Sequence, residues 1–357
     1  MEKQLLSDNP NMEIYLFPFI KSFLLAVILE MILIAVSKRM SRKNRKEKRH
    51  IHGKNISRLG GIGIILAFVA AILFDINLFI SSQISAMLWA SLFILFIGLL
   101  DDYWELSWKK QLFLQICAVI FIFILGIKIE FIADPFSGRL IFFNSSFLAS
   151  VGFVVSTIWI LLMINSVNWL DGIDGLSGGV VLMGSLVIFL LSLKPEVNQP
   201  PIGIITMILA GSVFGFLIFN FYPAKIMAGT SGSFFMGFIL AVLAIFSGTK
   251  IATTLMVMAV PIFDFFWVIG ERMLAGKSIF EPDQNHLHYK LSRLGWSPKK
   301  IAFLFYGVTL AIGILSLNTR AIGKLIVIFL TVVLLIVFFW TINQKIKNKK
   351  FRYADNK

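Results

Sequence analysis

The sequence is dominated by apolar runs long enough to cross a lipid bilayer, each close to the roughly 20 residues that a membrane-spanning helix needs. Eleven runs cover residues 13–37, 60–81, 83–101, 110–128, 147–168, 175–194, 201–221, 233–249, 251–270, 301–319 and 322–343. Backbone polar groups cannot stay unpaired in lipid, so such runs form helices. The pattern therefore predicts an all-α, polytopic integral membrane protein with about eleven transmembrane helices.

The composition fits one membrane domain over residues 1–357. The chain is 58% hydrophobic and 15% charged, which leaves no stretch for a separate soluble core. The single cysteine, Cys117, lies inside an apolar run and excludes a disulfide framework. Residues 1–12 lack a basic start and a cleavage site, so no cleaved signal peptide is expected.

The basic residues predict the orientation in the lipid bilayer. Of 33 Lys and Arg residues, 25 lie in alternate connections and at the C-terminus. These segments are residues 38–59, 102–110, 169–174, 222–232, 271–300 and 344–357. The positive-inside rule then places the N-terminus outside and the C-terminus in the cytoplasm. The net charge of +14 is thus a topology signal, and no nucleic acid partner is expected.

A polar cluster at residues 165–179 stands out between two apolar runs. It holds two Asn, two Asp and four Gly in fifteen positions. A simple turn between helices needs no paired carboxylates, and polar groups beside lipid are costly, so the cluster is a candidate functional site. Asp171 and Asp174 would share a helix face if a helix began there.

Four other polar motifs are predicted on the same, cytoplasmic side. They are Arg58-Leu59-Gly60-Gly61, Asp101-Asp102, the Gly-Thr-Ser-Gly-Ser run at 229–233, and His286-Leu287-His288. A carrier would place its polar groups near the middle of the membrane. Motifs gathered at one interface instead predict an enzyme that joins a water-soluble substrate to a lipid, with its active site on the cytoplasmic face.

The chemistry of these motifs indicates phosphoryl transfer. Asp101 and Asp102 end a helix, where the helix dipole is already negative, so a cation or Lys109 and Lys110 should compensate them. Oxygen ligands without a Cys cluster favour Mg²⁺, with Mn²⁺ as the alternative. The glycine-rich turn before span eight offers N–H groups at a helix N-terminus for a phosphate. Metal-assisted phosphoryl transfer follows.

In order and spacing, the motifs from about residue 54 to residue 291 resemble the polyprenyl-phosphate N-acetylhexosamine-1-phosphate transferase family, also called glycosyltransferase family 4. Further matching pieces are Tyr222-Pro223-Ala224-Lys225, Pro261 to Asp264, and Gly276-Lys277-Ser278. The His-Leu-His form is similar to the branch that acts on UDP-N-acetylglucosamine. The phospho-muramyl-pentapeptide branch, with its longer His run, is the alternative.

The resemblance implies a reaction and a setting. A UDP-N-acetylhexosamine would give its sugar 1-phosphate to undecaprenyl phosphate and release UMP, with Mg²⁺ on the diphosphate. The product would begin a lipid-linked cell-envelope glycan, such as lipopolysaccharide or teichoic acid. The protein would lie in the bacterial cytoplasmic (inner) membrane, and a homodimer is a further expectation.

The resemblance also implies residue roles. Asp101 or Asp102 would activate or position the acceptor phosphate, Asp171 would lie at the catalytic centre, and these three would hold the metal. Seven residues are predicted to contact substrates: Arg58, Lys109, Asn168, Asp174, Asn220, His286 and His288. Partly protonated imidazoles would suit a phosphate site at neutral pH. Asp264, inside span nine, is expected to have a structural role or to support another site residue. Span nine is also expected to break near Pro261, because proline removes a helix hydrogen bond.

One position departs from the family pattern. Thr230 stands where the pattern has an Asp that binds metal, and a hydroxyl is a poorer Mg²⁺ ligand than a carboxylate. Three accounts are open: another Asp takes over the metal, the residue was changed to block turnover, or the chain is a non-catalytic member of the scaffold. Tyr289 and Gln284 are smaller departures that bear on sugar specificity.

Overall fold

The computed structural model describes residues 12–43, 56–134, 136–137, 139–246, 251–279 and 283–354. These residues form thirteen helices and one two-stranded sheet. The helices are α1 (Glu13–Lys43), α2 (Gly60–Leu73), α3 (Ser82–Trp104), α4 (Trp108–Ile124), α5 (Ser146–Leu170), α6 (Leu176–Ser192), α7 (Pro200–Asn220), α8 (Gly229–Phe246), α9 (Ile251–Val257), α10 (Ala259–Leu274), α11 (Leu287–Arg293), α12 (Pro298–Leu317) and α13 (Ala321–Ala354). Parts of the predicted basic loop, histidine loop and basic tail lie outside the described residues.

The predicted all-α membrane class is confirmed. Within the described chain, seven helices are long and apolar enough to cross a bilayer, namely α1, α3, α5, α7, α8, α12 and α13. The pair α9 and α10 forms an eighth if the two count as one bent span. Each predicted span has a helical counterpart, but α2, α4 and α6 have only 14, 17 and 17 residues. Helix length therefore does not confirm the number eleven.

Span two ends earlier than predicted. The apolar run reaches residue 81, whereas α2 ends at Leu73. The reason is a polar turn, in which the Asp75 carboxylate accepts a hydrogen bond from the Asn77 N–H at 2.9 Å. Asp and Asn favour such turns because their side chains bond to nearby backbone. The next helix begins with Ser81, whose hydroxyl accepts from the Ile84 N–H at 3.2 Å.

Span nine is broken, as the sequence predicts. Helices α9 and α10 meet at Met258 and are bent by 73°. Pro261 is the third residue of α10, where the first-turn N–H groups have no partner inside the helix. A proline there loses no hydrogen bond, so the break falls just before it rather than at it.

The connection between α4 and α5 contains a short two-stranded hairpin. Strand β1 (Phe131–Ala133) pairs antiparallel with β2 (Leu140–Phe142), and Phe131 lies opposite Phe142. The hairpin follows the C-terminal end of α4, whereas Asp101 and Asp102, at the end of α3, come just before the N-terminal end of α4.

Helices α7 and α8 form the most buried part of the bundle. Helix α8 packs against α2, α3 and α5, and α7 packs against α1 and α6. Small residues allow these close approaches in membranes. A Cβ on Gly98 of α3 would lie 2.1 Å from the Cα of Ser231. This packing gathers the ends of α3 and α5 and the starts of α2 and α8 at one end of the bundle.

We predict that Gly98→Ala destabilises the protein by about 1–3 kcal/mol, because the added methyl group cannot fit beside Ser231. Thermal unfolding in detergent would measure the effect. The matched control is Gly307→Ala in α12, where a Cβ meets nothing within 4 Å. That change should be neutral or slightly stabilising, since Ala favours helix. Equal melting temperatures for the two variants would contradict the prediction.

Candidate active site

The aspartate pair at the end of α3 contacts the first turn of α8. The Thr230 hydroxyl donates to Asp101 Oδ2 at 2.6 Å, and the Thr230 N–H donates to Asp102 Oδ1 at 2.8 Å. Asp102 Oδ2 accepts from both the N–H and the hydroxyl of Ser231 at 3.1 Å. The predicted phosphate site on these N–H groups is wrong, because the chain's own carboxylate occupies the helix N-terminus.

Asp101 has two further donors. Its Oδ1 accepts from the Leu106 N–H at 3.0 Å and from Gln111 Nε2 at 2.7 Å. All four carboxylate oxygens of the pair therefore accept hydrogen bonds from neutral groups. We call Asp101, Asp102, Thr230 and Ser231 the aspartate clasp.

The predicted charge compensation by Lys109 and Lys110 is wrong. Both side chains are exposed on α4, and in the described chain neither forms an ion pair with the aspartates. Lys109 Nζ instead lies 5.6 Å from the centroid of the Trp108 ring. The predicted contact of Lys109 with a substrate stays a prediction.

Residues 57–61, which contain Arg58, run alongside residues 226–228. The Met227 N–H donates to the Ser57 carbonyl at 2.8 Å, and the Gly60 N–H donates to the Met227 carbonyl at 3.0 Å. A Cβ on Gly61 would lie 2.2 Å from the backbone nitrogen of Gly232, which explains the glycine. Burial raises the pKa of Asp171, and this pairing places the exposed Arg58 side chain near enough that its positive charge opposes part of that rise.

Asp171 and Asp174 lie in a turn between helices. Asp171 follows the last residue of α5, and its Oδ1 accepts from the Ser177 hydroxyl at 2.5 Å. Asp174 Oδ2 accepts from the Ala224 N–H at 2.9 Å, which joins this turn to the segment after α7. Because α6 begins only at Leu176, the predicted sharing of one helix face is wrong.

Asn220 and Asn168 have partners within the protein. Asn220 is buried, accepts from the Gly175 N–H and donates to the Ile226 carbonyl, both at 2.9 Å. Asn168 Oδ1 accepts from the Ser233 hydroxyl at 2.8 Å, which joins α5 to α8. These bonds stabilise the turn around Asp171, and the predicted substrate contacts of the two amides stay predictions.

Asp264 positions the histidine loop. Its Oδ1 accepts from the Leu287 N–H and its Oδ2 contacts His286 Nδ1, both at 2.8 Å. The predicted structural role of Asp264 is confirmed. The rings of His286 and His288 are nearly parallel, with centroids 5.8 Å apart and an angle of 4°.

His288 is fully buried, and neither ring nitrogen has a hydrogen-bond partner in the described chain. Burial, with the neighbouring His286 as the smaller cause, lowers the pKa of His288 to about 3. The ring is therefore neutral at pH 7, and the predicted partial protonation is wrong for this residue. The isolated motif could not reveal this, because burial follows from the packing of the loop.

Asp171 differs from the aspartate clasp. Ser177 is its only side-chain donor in the described structure, whereas Asp101 and Asp102 each accept three hydrogen bonds from side chains and backbone N–H groups. Burial raises the pKa of Asp171 to about 7, and the charges of Asp102 and Asp174 add to the rise. The Ser177 hydrogen bond and the charge of Arg58 oppose it. A pKa near 7 in a cleft is typical of functional carboxylates.

A cavity of about 840 Å³ opens beside Asp171, between α4, α5, α10 and α11. Its apolar lining comes from Leu106, Trp108, Leu112, Ile158, Leu161, Leu162, Trp169, Phe265, Phe266, Ile269 and Ile279. Its polar lining includes Gln111, Gln115, Asn165, Asn168, Asp171, Arg272, Asp283, His286 and Tyr289. The cavity thus joins a long apolar surface to a group of polar side chains.

Several cavity residues were not predicted from the sequence, and Arg272 and Gln111 are two polar examples. Arg272 is buried, forms an ion pair with Asp283 at 3.1 Å, and lies 4.9 Å from the centroid of the Trp169 ring. In the sequence it is one of many basic residues at helix ends, so nothing distinguished it. Gln111 could have been found, because Gln111 and Gln115 lie four apart in an apolar run and so share a helix face.

Within the described residues, no three His, Cys, Asp or Glu side chains are grouped as a preformed metal site. The donor chemistry at Asp171 nevertheless fits Mg²⁺, which commonly uses one or two carboxylates plus substrate phosphates. A carboxyl whose pKa is raised by burial and nearby negative charge would gain from a cation. The assignment of Asp101 and Asp102 as metal ligands stays a prediction.

Comparison with known proteins gives consistent similarities. The family described as "Glycosyl transferase family 4" matches residues 84–248. A Mycobacterium leprae protein named "Decaprenyl-phosphate N-acetylglucosaminephosphotransferase" is 31% identical over 292 residues, 72% of each chain. A Bacillus subtilis protein named "Probable undecaprenyl-phosphate N-acetylglucosaminyl 1-phosphate transferase" is 28% identical over 94% of this chain and 93% of its own. A Staphylococcus carnosus "Phospho-N-acetylmuramoyl-pentapeptide-transferase" is 29% identical over 83% and 96%.

We predict that Asp171→Asn raises the melting temperature at pH 8 in EDTA. The pKa of Asp171 is about 7 in the folded protein and ~3.9 when unfolded, so folding favours its neutral form. Stability therefore falls as the pH rises from about 4 to about 7, and asparagine removes this loss while it keeps an acceptor for Ser177. The difference in melting temperature between the variant and the wild type should become smaller as the pH falls toward 5.

The control is Asp134→Asn on the exposed hairpin connection. Hydrogen bonds, first from Ser137, lower the pKa of Asp134, so this change should give no rise in melting temperature. If Asp171→Asn melts below wild type by the same amount at every pH, burial of a charge at Asp171 is disproved.

Proposed function

Since the chain belongs to glycosyl transferase family 4, we propose that it transfers N-acetylglucosamine 1-phosphate from UDP-N-acetylglucosamine to undecaprenyl phosphate and releases UMP. The coarser activity, transfer of an N-acetylhexosamine 1-phosphate to a polyprenyl phosphate, is what its relatives' names support. The observation that carries the proposal is the cavity that joins an apolar surface to Asp171.

The cavity suits the lipid acceptor. Leu161 and Ile158 on α5 lie about three to four helical turns from Asp171, since a helix has ~3.6 residues per turn. A polyprenyl chain could lie along this apolar lining, with its phosphate at the polar end beside Asn168, His286 and Arg272. Burying the isoprene units there stabilises binding at roughly 25 cal/mol per Å² of apolar surface.

The donor would bind at the open side of the turn that holds Asp171. Arg58 is exposed and close enough to act on the charge of Asp171, so its guanidinium can contact diphosphate oxygens. The short His-Leu-His loop favours a plain N-acetylhexosamine donor over a phospho-muramyl-pentapeptide. The latter is the second candidate, supported by the Staphylococcus carnosus relative.

In the reaction, an oxygen of the acceptor phosphate attacks the β-phosphorus of the UDP-sugar. The new phosphorus–oxygen bond forms as the bond to the UMP oxygen breaks, and UMP leaves with that bonding pair. The acceptor phosphate has a second pKa of ~6, so it is mostly a dianion at pH 7 and needs little help from a base. The protein's task is then positioning and charge stabilisation.

Several side chains would supply this positioning and charge stabilisation. Arg58 and Arg272 supply positive charge for the phosphates, and His286, oriented by Asp264, lines the cavity. Asp171 would hold Mg²⁺ or Mn²⁺ together with substrate phosphate oxygens. When bound, the metal would offset negative charge on the diphosphate. We further propose that the protein lies in the bacterial cytoplasmic membrane, with the site end of the bundle facing the cytoplasm.

We predict that membranes containing the protein form a radiolabelled lipid product and UMP from UDP-N-acetylglucosamine, undecaprenyl phosphate and Mg²⁺. Asp171→Asn should lower the rate at least about 100-fold, because a neutral amide would hold the metal that offsets the phosphate charge much more weakly than a carboxylate does. The control Asp134→Asn makes the same chemical change away from the cavity and should keep near-normal activity. An absence of product from the wild-type protein would refute the transferase.

A second prediction concerns the acceptor groove. Ile158→Trp would fill part of the cavity and raise the KM for undecaprenyl phosphate several-fold, with little change in the KM for the UDP-sugar. The control is Ile314→Trp on α12, where an isoleucine is 45% exposed and does not line the cavity. Equal acceptor KM values for the two variants would place the polyprenyl chain elsewhere.

A further inference from the structure

We infer that the aspartate clasp is a metal-independent positioning device closed by Thr230, and that it leaves Asp171 as the carboxylate through which this protein binds a divalent cation. The inference concerns three carboxylates that share one end of the bundle but have different surroundings. It rests on the proposed function only where the cation meets substrate phosphates.

The first step is charge balance. Asp101 and Asp102 are adjacent and lie in the last turn of α3, where the helix dipole is negative. The pair receives six hydrogen bonds, from Leu106, Gln111, Thr230 and Ser231, and every donor is neutral. The start of α8 adds the positive end of its own dipole. Among the described residues, no Lys, Arg or His forms an ion pair with the two aspartates.

The second step is the position of Thr230, which donates to both carboxylates. Its hydroxyl binds Asp101 and its N–H binds Asp102, so one residue joins the end of α3 to the start of α8. A carboxylate in place of the hydroxyl would stand about where Oγ1 is now, 2.6 Å from Asp101 Oδ2. Two like charges at that distance are not stable together without a cation. Threonine therefore removes the need for a metal here.

The third step is the contrast with Asp171. Its carboxyl has Ser177 as its only side-chain donor in the described structure and lines the cavity. The neighbouring charges of Asp102 and Asp174 increase the negative potential there. A divalent cation is thus favoured at Asp171, whereas the clasp oxygens are already occupied.

The test compares the full-length wild type with Thr230→Ser, Thr230→Val and Thr230→Asp in detergent. Melting temperatures are measured in EDTA and in Mg²⁺, and Mn²⁺ affinity is measured from the electron paramagnetic resonance signal of free Mn²⁺. Thr230→Ser keeps the hydroxyl and should match the wild type. Thr230→Val should lose the same number of degrees in EDTA and in Mg²⁺, because only a hydrogen bond is lost.

Thr230→Asp should behave differently from both. It should melt well below the wild type in EDTA and recover most of the loss in Mg²⁺. Its Mn²⁺ affinity should exceed that of the wild type by about tenfold or more, because affinity rises with the number of charged ligands. A purely structural role for Thr230 would change melting temperatures without changing Mn²⁺ affinity. Equal Mn²⁺ affinity and equal Mg²⁺ response in Thr230→Asp and wild type would overturn the inference.

A matched pair of variants tests whether the divalent cation binds through Asp171 and not through the aspartate clasp. Asp171→Asn should abolish Mn²⁺ binding by the otherwise wild-type protein, whereas Asp102→Asn should lower the melting temperature and keep most of the Mn²⁺ affinity. The opposite pattern would overturn the assignment of the cation to Asp171. None of these measurements uses turnover. A failed transferase assay would therefore refute the proposed function without contradicting the inference about the aspartate clasp.

Discussion

Two adjacent carboxylates at the negative end of a helix repel each other, and in this structure the first turn of another helix stabilises them. Asp101 and Asp102 accept hydrogen bonds from Thr230 and Ser231, at the positive end of α8. This contact holds α3 against the most buried helix of the bundle. The paired segments at residues 57–61 and 226–228 and the Asn168–Ser233 bond are built around the same turn of α8.

Asp171 lies at the same end of the bundle as the aspartate clasp but has different surroundings. The clasp aspartates accept many hydrogen bonds, whereas Asp171 accepts few, and burial raises the pKa of Asp171 to about 7. Keeping such a group ionised costs stability, which is common where function requires an unpaired charge. The cavity beside it brings an apolar surface to that charge, as an enzyme acting on a lipid phosphate requires.

Much of this could be predicted from residue order. The apolar runs specified the helical membrane class, and the polar motifs at their ends identified Asp101, Asp102, Asp171 and the histidine loop. The predicted break of span nine and the structural role of Asp264 are confirmed. Two of the errors share one cause, which is that they concern contacts made in the folded protein. Lys109 lies close to the aspartates in sequence but is directed toward Trp108, and His288 is buried. Neither fact can be derived from spacing.

The sequence by itself determined which segments enter the membrane and which polar groups lie at their ends, because hydrophobicity and helix period act locally along the chain. Only the tertiary structure decided which donors each carboxylate meets, which histidine is neutral, and that Arg272 and Gln111 line the same cavity as Asp171. Those properties depend on hydrogen bonds and burial between segments far apart in sequence. The charge state of a buried group is therefore a property of the fold.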